Sequence, residues 1–205
     1  MERSVVIIAD GAFPQHDIPL GYLKSKKKII CCDGAVTKLV EAGLEPWAIV
    51  GDLDSVPDDL AVKFADRMHR FDDQNTNDLT KAVLFSCREG FESIIILGAT
   101  GLREDHTIGN ISLLMDYIEF VDVKMVTDEG IFIPITGSSK ISTWSGQQVS
   151  IFSNRSNIEI SSIGLKYPLE KVKLTNWWIG SLNEAVSDNI EIQFDGGPVL
   201  VFLGF

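Results

Sequence analysis

The sequence predicts an α/β chain in which a layered N-terminal domain with a mostly parallel sheet is followed by a C-terminal all-β sandwich. Three observations lead there. Residues 1–126 alternate short β-branched runs with segments of helical spacing; the helical rhythm stops after about residue 130; and short strand-like runs split by Gly, Asn, Ser and Asp follow it. The expected division is an α/β catalytic domain at 1–132 and a sandwich at 133–205. The join is expected near residues 130–139, where Gly137-Ser138-Ser139 offers a turn.

Taken in order, residues 5–9, 28–32, 47–50, 93–97 and 121–126 are apolar and β-branched enough to be buried strands of a parallel sheet. Helices are expected between them. At 35–43, Val36, Leu39 and Val40 share a face and Gly43 suits the C-terminal cap. At 77–88, Leu79, Ala82, Val83 and Ser86 recur at three-and-four spacing, with Thr76 or Asn77 as the N-cap. At 106–120, Ile108, Ile111, Leu114, Met115 and Ile118 form one stripe. The second half reads as strands at 140–144, 148–153, 158–162, 171–174, 190–194 and 199–202.

Composition narrows the function. With 45% hydrophobic residues in a chain of 205, disorder, a collagen-like repeat and a disulfide mini-protein are excluded. A net charge of −11 (18 basic against 29 acidic residues) argues against duplex nucleic acid as a partner, though not against a nucleotide carried by a divalent cation. Three cysteines without metal-ligand spacing read as buried thiols of a reducing compartment, so a cytoplasmic location is expected. No apolar run reaches the ~20 residues that span a bilayer, and residues 5–8 are too short for a signal peptide.

The acidic residues collect after strands. Asp10-Gly11 follows the first, Asp33-Gly34 the second, Gly51-Asp52-Leu53-Asp54-Ser55 the third and Gly98-Ala99-Thr100-Gly101 the fourth. In a parallel sheet these ends share one edge, where ligands of open α/β sheets bind. Carboxylates gathered on one rim repel one another unless they share a cation, and hard oxygen ligands suit Mg²⁺ with substrate phosphates. Asp10 alone reads equally as a turn former. A second cluster, Asp72-Asp73-Gln74-Asn75-Thr76-Asn77-Asp78-Leu79-Thr80-Lys81, would bring Asp73, Asp78 and Lys81 to metal and phosphates, or merely cap a surface helix. In the third, Gly98 and Gly101 shape a turn into a helix start suited to an anion, Arg103 adds a planar cationic fork, and Asp105 and His106 follow. No Walker loop and no GxGxxG occurs. In the second half, Trp177 and Trp178, read as tandem residues of a strand, would put one ring on each face. One could stack on a flat heteroaromatic ligand beside Ser181 and Asn183.

These blocks, in this order, resemble the thiamin pyrophosphokinase family. The resemblance rests on Asp33-Gly34-Ala35, Gly51 to Ser55, Asp73-Gln74 with Asp78-Leu79-Thr80-Lys81-Ala82, and Gly101-Leu102-Arg103-Glu104-Asp105-His106. It continues through Gly164-Leu165-Lys166-Tyr167-Pro168-Leu169 and Asn183-Glu184. It implies an α/β domain and a sandwich, a homodimer with thiamin held between the α/β domain of one subunit and the sandwich of the other, and transfer of a pyrophosphoryl group from ATP to thiamin. It further implies Asp52, Asp54 and Asp73 as the Mg²⁺ and ATP carboxylates, Asp33 in the same cleft, and Arg103, Asp105 and His106 near the phosphates. The chain departs from the family in having Asn77 where Thr is common and Leu182 where Ser is frequent. Two other classes compete: an aspartyl-nucleophile phosphatase with a phospho-enzyme at Asp52, and a non-catalytic thiamin or nucleotide sensor.

Overall fold

The computed structural model describes residues 3–25 and 28–205. The described residues divide into two compact units, residues 3–25, 28–111 and 121–128, and residues 112–120 with 129–205.

The first unit is built on parallel strands β1 (Ser4–Ile8), β2 (Ile29–Cys32), β3 (Ala48–Gly51), β4 (Met68–Arg70), β5 (Ser93–Leu97) and β6 (Asp122–Val126), in the order β6-β5-β1-β2-β3-β4. β2 and β3 are buried at every position and β1 and β5 at all but their first residue, as a parallel sheet covered on both faces requires. The chain steps outward from β1 through β2, β3 and β4, then returns to β5 on the other side of β1. Strand order therefore reverses between β1 and β5, and a crevice lies beyond the C-terminal ends of β1, β2 and β5.

Helices α1 (Asp17–Ser25), α2 (Ala35–Glu41), α3 (Asp58–Lys63), α4 (Asp78–Arg88) and α5 (Glu104–Tyr117) follow strands. α2 ends as expected, with Gly43 at φ +76° and its N–H bonded to the Val40 carbonyl. α4 buries Leu79, Ala82, Val83, Phe85 and Ser86 and packs against β1, β2 and β3. Asn77 takes the N-cap position, its Oδ1 accepting from Thr80 N at 2.9 Å. α5 begins two residues before the expected 106 and ends three before 120. It buries Leu114, Met115 and Tyr117 while Ile108 of the expected stripe is exposed.

The second unit is antiparallel throughout. β7 (Gly130–Ile135), β9 (Gln148–Phe152), β12 (Asn183–Glu184) and β14 (Val199–Gly204) form one sheet in the order β12-β9-β14-β7. β8 (Ser139–Ser142), β10 (Glu159–Ile163), β11 (Val172–Lys173) and β13 (Asn189–Gln193) form the other, in the order β11-β10-β13-β8. Val149, Ile151, Val201 and Leu203 of the first sheet share a core with Ile160, Ile190 and Ile192 of the second. Two expectations need correction. Residues 130–135 form a strand, so only 136–138 of the expected join is a turn. Trp177 and Trp178 lie in a turn, so their side chains do not alternate across a sheet; Trp177 packs on Phe152 at 6.0 Å and Trp178 is exposed.

One close approach shapes the crevice. The Gly11 N–H donates to the Gly98 carbonyl at 2.6 Å and the Ala12 N–H to that of Thr100 at 2.8 Å. A Cβ on Gly11 would press into the Gly98 carbonyl and lie 2.6 Å from that of Thr100, and backbone cannot step aside as a side-chain tip can. Gly11→Ala is therefore expected to destabilise the protein by roughly 2–3 kcal/mol, read as a lowered midpoint in urea unfolding; an unchanged midpoint would show that the loop is slack.

Candidate active site

The crevice is a cavity of about 330 Å³ bounded by the ends of β1, β2 and β5 and the starts of α4 and α5. Its lining includes Asp10, Gly11, Asp33, Gly34, Asn77, Asp78, Thr100, Arg103, His106 and Asn110. Asp33, Asp52 and Asp54 each place a carboxylate oxygen within 4.8 Å of the others, the three-residue acidic group found among the described residues. Two left-handed residues aim this group: Asp33 at φ +40° and Leu53, between the two other aspartates, at φ +67°. Neither position is glycine, so the backbone there is strained for the sake of side-chain direction. Gly51 makes the crowding possible, since a Cβ on it would lie 3.0 Å from the Asp33 Cβ and 3.4 Å from Asp78 Oδ1.

Electrostatics follow from this crowding. Asp33 is 5% exposed and its Oδ1 is buried without a partner. Burial, then a hydrogen bond shared with Asp52 and the charges of Asp78, Asp52 and Asp54, push its carboxyl up to about 7. For Asp52, partial desolvation works upward, but the Asp33 hydrogen bond, the Asp54 N–H and the Lys81 charge together hold the carboxyl below its ordinary range. Lys81 is 4% exposed and bonds Asp78 Oδ1 at 2.9 Å. Burial alone would lower its pKa, yet Asp78, Asp52 and Asp73 raise it, so a fixed cation stands among the carboxylates. On the near side, Lys38 Nζ donates to Asp10 Oδ1 at 2.7 Å and to the Gly11 carbonyl at 2.8 Å, fastening the loop after β1.

Asp73, expected beside Asp52 and Asp54, stands outside the three-carboxylate group. The N–H of Asn75 and the hydroxyl of Thr76 occupy its oxygens and hold its carboxyl below the ordinary range. Arg103 reaches Asp105 through two bonds, Nε to Oδ1 at 3.1 Å and Nη2 to Oδ2 at 2.6 Å, and this pairing holds the Asp105 carboxyl near 2. The His106 N–H donates to Asp105 Oδ1. Gly98 and Gly101 bracket the turn after β5 at φ +63° and +85°. In the second unit, Ser181 Oγ donates to the Trp178 carbonyl. Asn183 is buried, accepting from Tyr167 N and donating to Tyr167 O. Lys38 and Asn110 were not singled out by sequence. Their contacts to Asp10 and Asn77 span 28 and 33 residues, and neither carries a local pattern.

Three hard oxygen donors, one of them from the buried Asp33, fit a divalent cation such as Mg²⁺. A carboxylate group and a fixed cation at the C-terminal ends of β2 and β3, on the sheet edge where open α/β sheets bind ligands, suit an α/β enzyme that handles phosphates. The family description "Thiamin pyrophosphokinase, catalytic domain" matches residues 20–127, more than half of the chain, and "Thiamin pyrophosphokinase, substrate-binding domain" matches residues 130–202. The chain belongs to the thiamin pyrophosphokinase family, as the ordered motifs implied.

Its relatives include thiamin pyrophosphokinase 1 of Caenorhabditis elegans, 29% identical over 181 residues that cover 80% of this chain and 74% of the relative. Thiamine pyrophosphokinase of Bacillus subtilis is 27% identical over 185 residues, 84% of this chain and 85% of that protein. The crystal structure of a Bacillus subtilis thiamine pyrophosphokinase shares the fold with a TM-score of 0.82, at 21% identity over 98% of both chains.

The raised Asp33 carboxyl predicts a pH signature. An acid whose pKa rises from 3.8 to about 7 on folding favours the folded state while protonated, so its contribution is lost as pH climbs through that window and is constant above it. In metal-free buffer, the stability of wild type relative to Asp33→Asn should fall from about pH 4 to about pH 7 in urea titrations. A flat difference would show that Asp33 is ionised throughout.

Proposed function

We propose that this crevice is where the pyrophosphoryl group of ATP is moved onto the hydroxyl of thiamin, giving thiamin diphosphate and AMP. The observation that supports it most is the group of Asp33, Asp52 and Asp54 with Lys81 at the C-terminal ends of β2 and β3. In this reading Asp52 and Asp54, with Asp33, hold Mg²⁺. When bound, the ion supplies charge neutralisation at phosphate oxygens. Lys81 offsets part of the group's negative charge so that a polyphosphate is admitted, and Asp78 holds the Lys81 ammonium in place. The turn bracketed by Gly98 and Gly101, with Gly34 opposite, carries backbone against the phosphates.

Displacement at phosphorus demands positioning and electrostatic stabilisation more than a strong base. Arg103, exposed and already presented as a planar fork by Asp105, would exchange that carboxylate for phosphate oxygens and stabilise the migrating group, with His106 beside it. Asp73 acts from the loop before α4. With its oxygens occupied by Asn75 and Thr76, it fixes that loop and adds charge facing Lys81.

The proposal assigns residues 1–132 to ATP and Mg²⁺ and 133–205 to thiamin. Trp178, 74% exposed, offers a stacking face, Ser181 a hydroxyl nearby, and Asn183 holds the Tyr167 backbone. A homodimer belongs to the same reading, supported by exposed Tyr167, Trp178 and Leu182 on the sandwich. The three cysteines are free thiols, which supports a cytoplasmic location. Among the described residues no helix is long and apolar enough to cross a membrane. Neither the phospho-enzyme at Asp52 nor the silent sensor gains support from the family.

Asp54 is exposed, so Asp54→Asn should leave the melting temperature nearly unchanged. Loss of a metal-ligating charge worth several kcal/mol should cut thiamin diphosphate formation by roughly a thousandfold. An active Asp54→Asn enzyme would remove Asp54 from the metal site.

A further inference from the structure

Two walls of the crevice are tied together by a run of side-chain hydrogen bonds that no role above uses. Asn77 Oδ1 accepts from Thr80 N at 2.9 Å and from Thr80 Oγ1 at 2.8 Å, capping α4. Asn77 Nδ2 donates to Asn110 Oδ1 at 3.2 Å, and Asn110 Nδ2 donates to the Ala99 carbonyl at 2.9 Å. Ala99 belongs to the turn that follows β5, while Asn77 immediately precedes Asp78 and stands one turn from Lys81. Asn77, Ala99 and Asn110 all line the crevice.

We infer that Asn77 and Asn110 are positioning residues, a strut that sets the span between the phosphate-facing turn and the charged start of α4. The inference rests on the pyrophosphoryl-transfer reading and assigns work that the reading leaves open. Both amides are engaged at both ends, so each is locked in one orientation, the acceptor of one facing the donor of the next. A hydroxyl at position 77 has one hydrogen and a shorter reach, whereas the asparagine serves helix and strut with separate atoms. Each bond contributes only about 1 kcal/mol to stability. Its effect on geometry is larger, because a displacement of ~1 Å between reacting groups can cost about a hundredfold in rate.

Two variants isolate the strut. Asn77→Asp keeps an oxygen to cap α4 and adds a charge favoured at a helix start, but turns a carboxylate oxygen toward Asn110 Oδ1. Asn110→Ala removes the middle of the run. Each single variant should lower kcat for thiamin diphosphate formation about tenfold with the KM for thiamin unchanged, and the double variant should lower it no further, since both break one connection. A hundredfold fall in the double variant would show two independent effects and overturn the strut, as would an unchanged kcat in Asn77→Asp. If Asn110→Ala fails to fold, Asn77→Asp decides alone.

Wild type assayed alongside separates the two readings. Should it form no thiamin diphosphate, the transfer reading fails. The strut is then read by hydrogen exchange, where Asn77→Asp must speed exchange of the amides at 99–101; unchanged exchange there would overturn it.

Discussion

The first unit is organised around the repulsion of carboxylates that its own topology brings together. Asp33, Asp52 and Asp54 arrive from two adjacent strand ends and converge within 4.8 Å. Two unit charges 4 Å apart cost about 4 kcal/mol at an effective dielectric constant of 20. The fold opposes this with a buried lysine, an Asp33 carboxyl pushed up to about 7 and two left-handed residues that hold the directions of the side chains. A cation on the same oxygens would relieve what remains. Folded chain and cation would in this sense be complementary: what strains one would be the binding site for the other.

Around that centre the parts divide by stiffness. The inner strands β1, β2, β3 and β5 are buried and rich in Ile and Val, so they anchor the loops that leave their ends. Lys38 fastens the loop after β1, and the Gly11 and Ala12 amides lay it against the turn after β5. Asn77 and Asn110 fasten that turn to α4. Arg103 and Asp105 lie outside this network and are exposed, which suits groups that must exchange partners when an anion arrives. The sandwich is stabilised by its own apolar core, Phe194 included, and leaves Trp144, Tyr167 and Trp178 exposed, so those three rings contribute little to that core.

Sequence reading succeeded where periodicity is long and local. The strands at 93–97 and 199–202, the Gly43 cap and the Asn77 cap follow from rules that span a few residues. It missed α1, α3 and β4, each short or broken by Pro19 and Gly21, and β7, hidden because Gly130 and Pro134 mimic a linker. Tandem tryptophans suggested a strand, but β-propensity yields to the turn that Gly180 and its neighbours make. Of the site, the aspartates after strands were legible because strand ends of a parallel sheet share an edge. Which of them converge was not legible: Asp33 joins Asp52 and Asp54 while Asp73 turns to Asn75 and Thr76, a choice made by backbone angles and loop hydrogen bonds.

The central claim is that the carboxylate crevice moves a pyrophosphoryl group intact. The direct measurement is to incubate the protein with thiamin, ATP and Mg²⁺ and to separate the nucleotide products over time. The account predicts AMP and thiamin diphosphate appearing in equal amounts, with neither formed when the metal is chelated. ADP or free phosphate without thiamin diphosphate would contradict it.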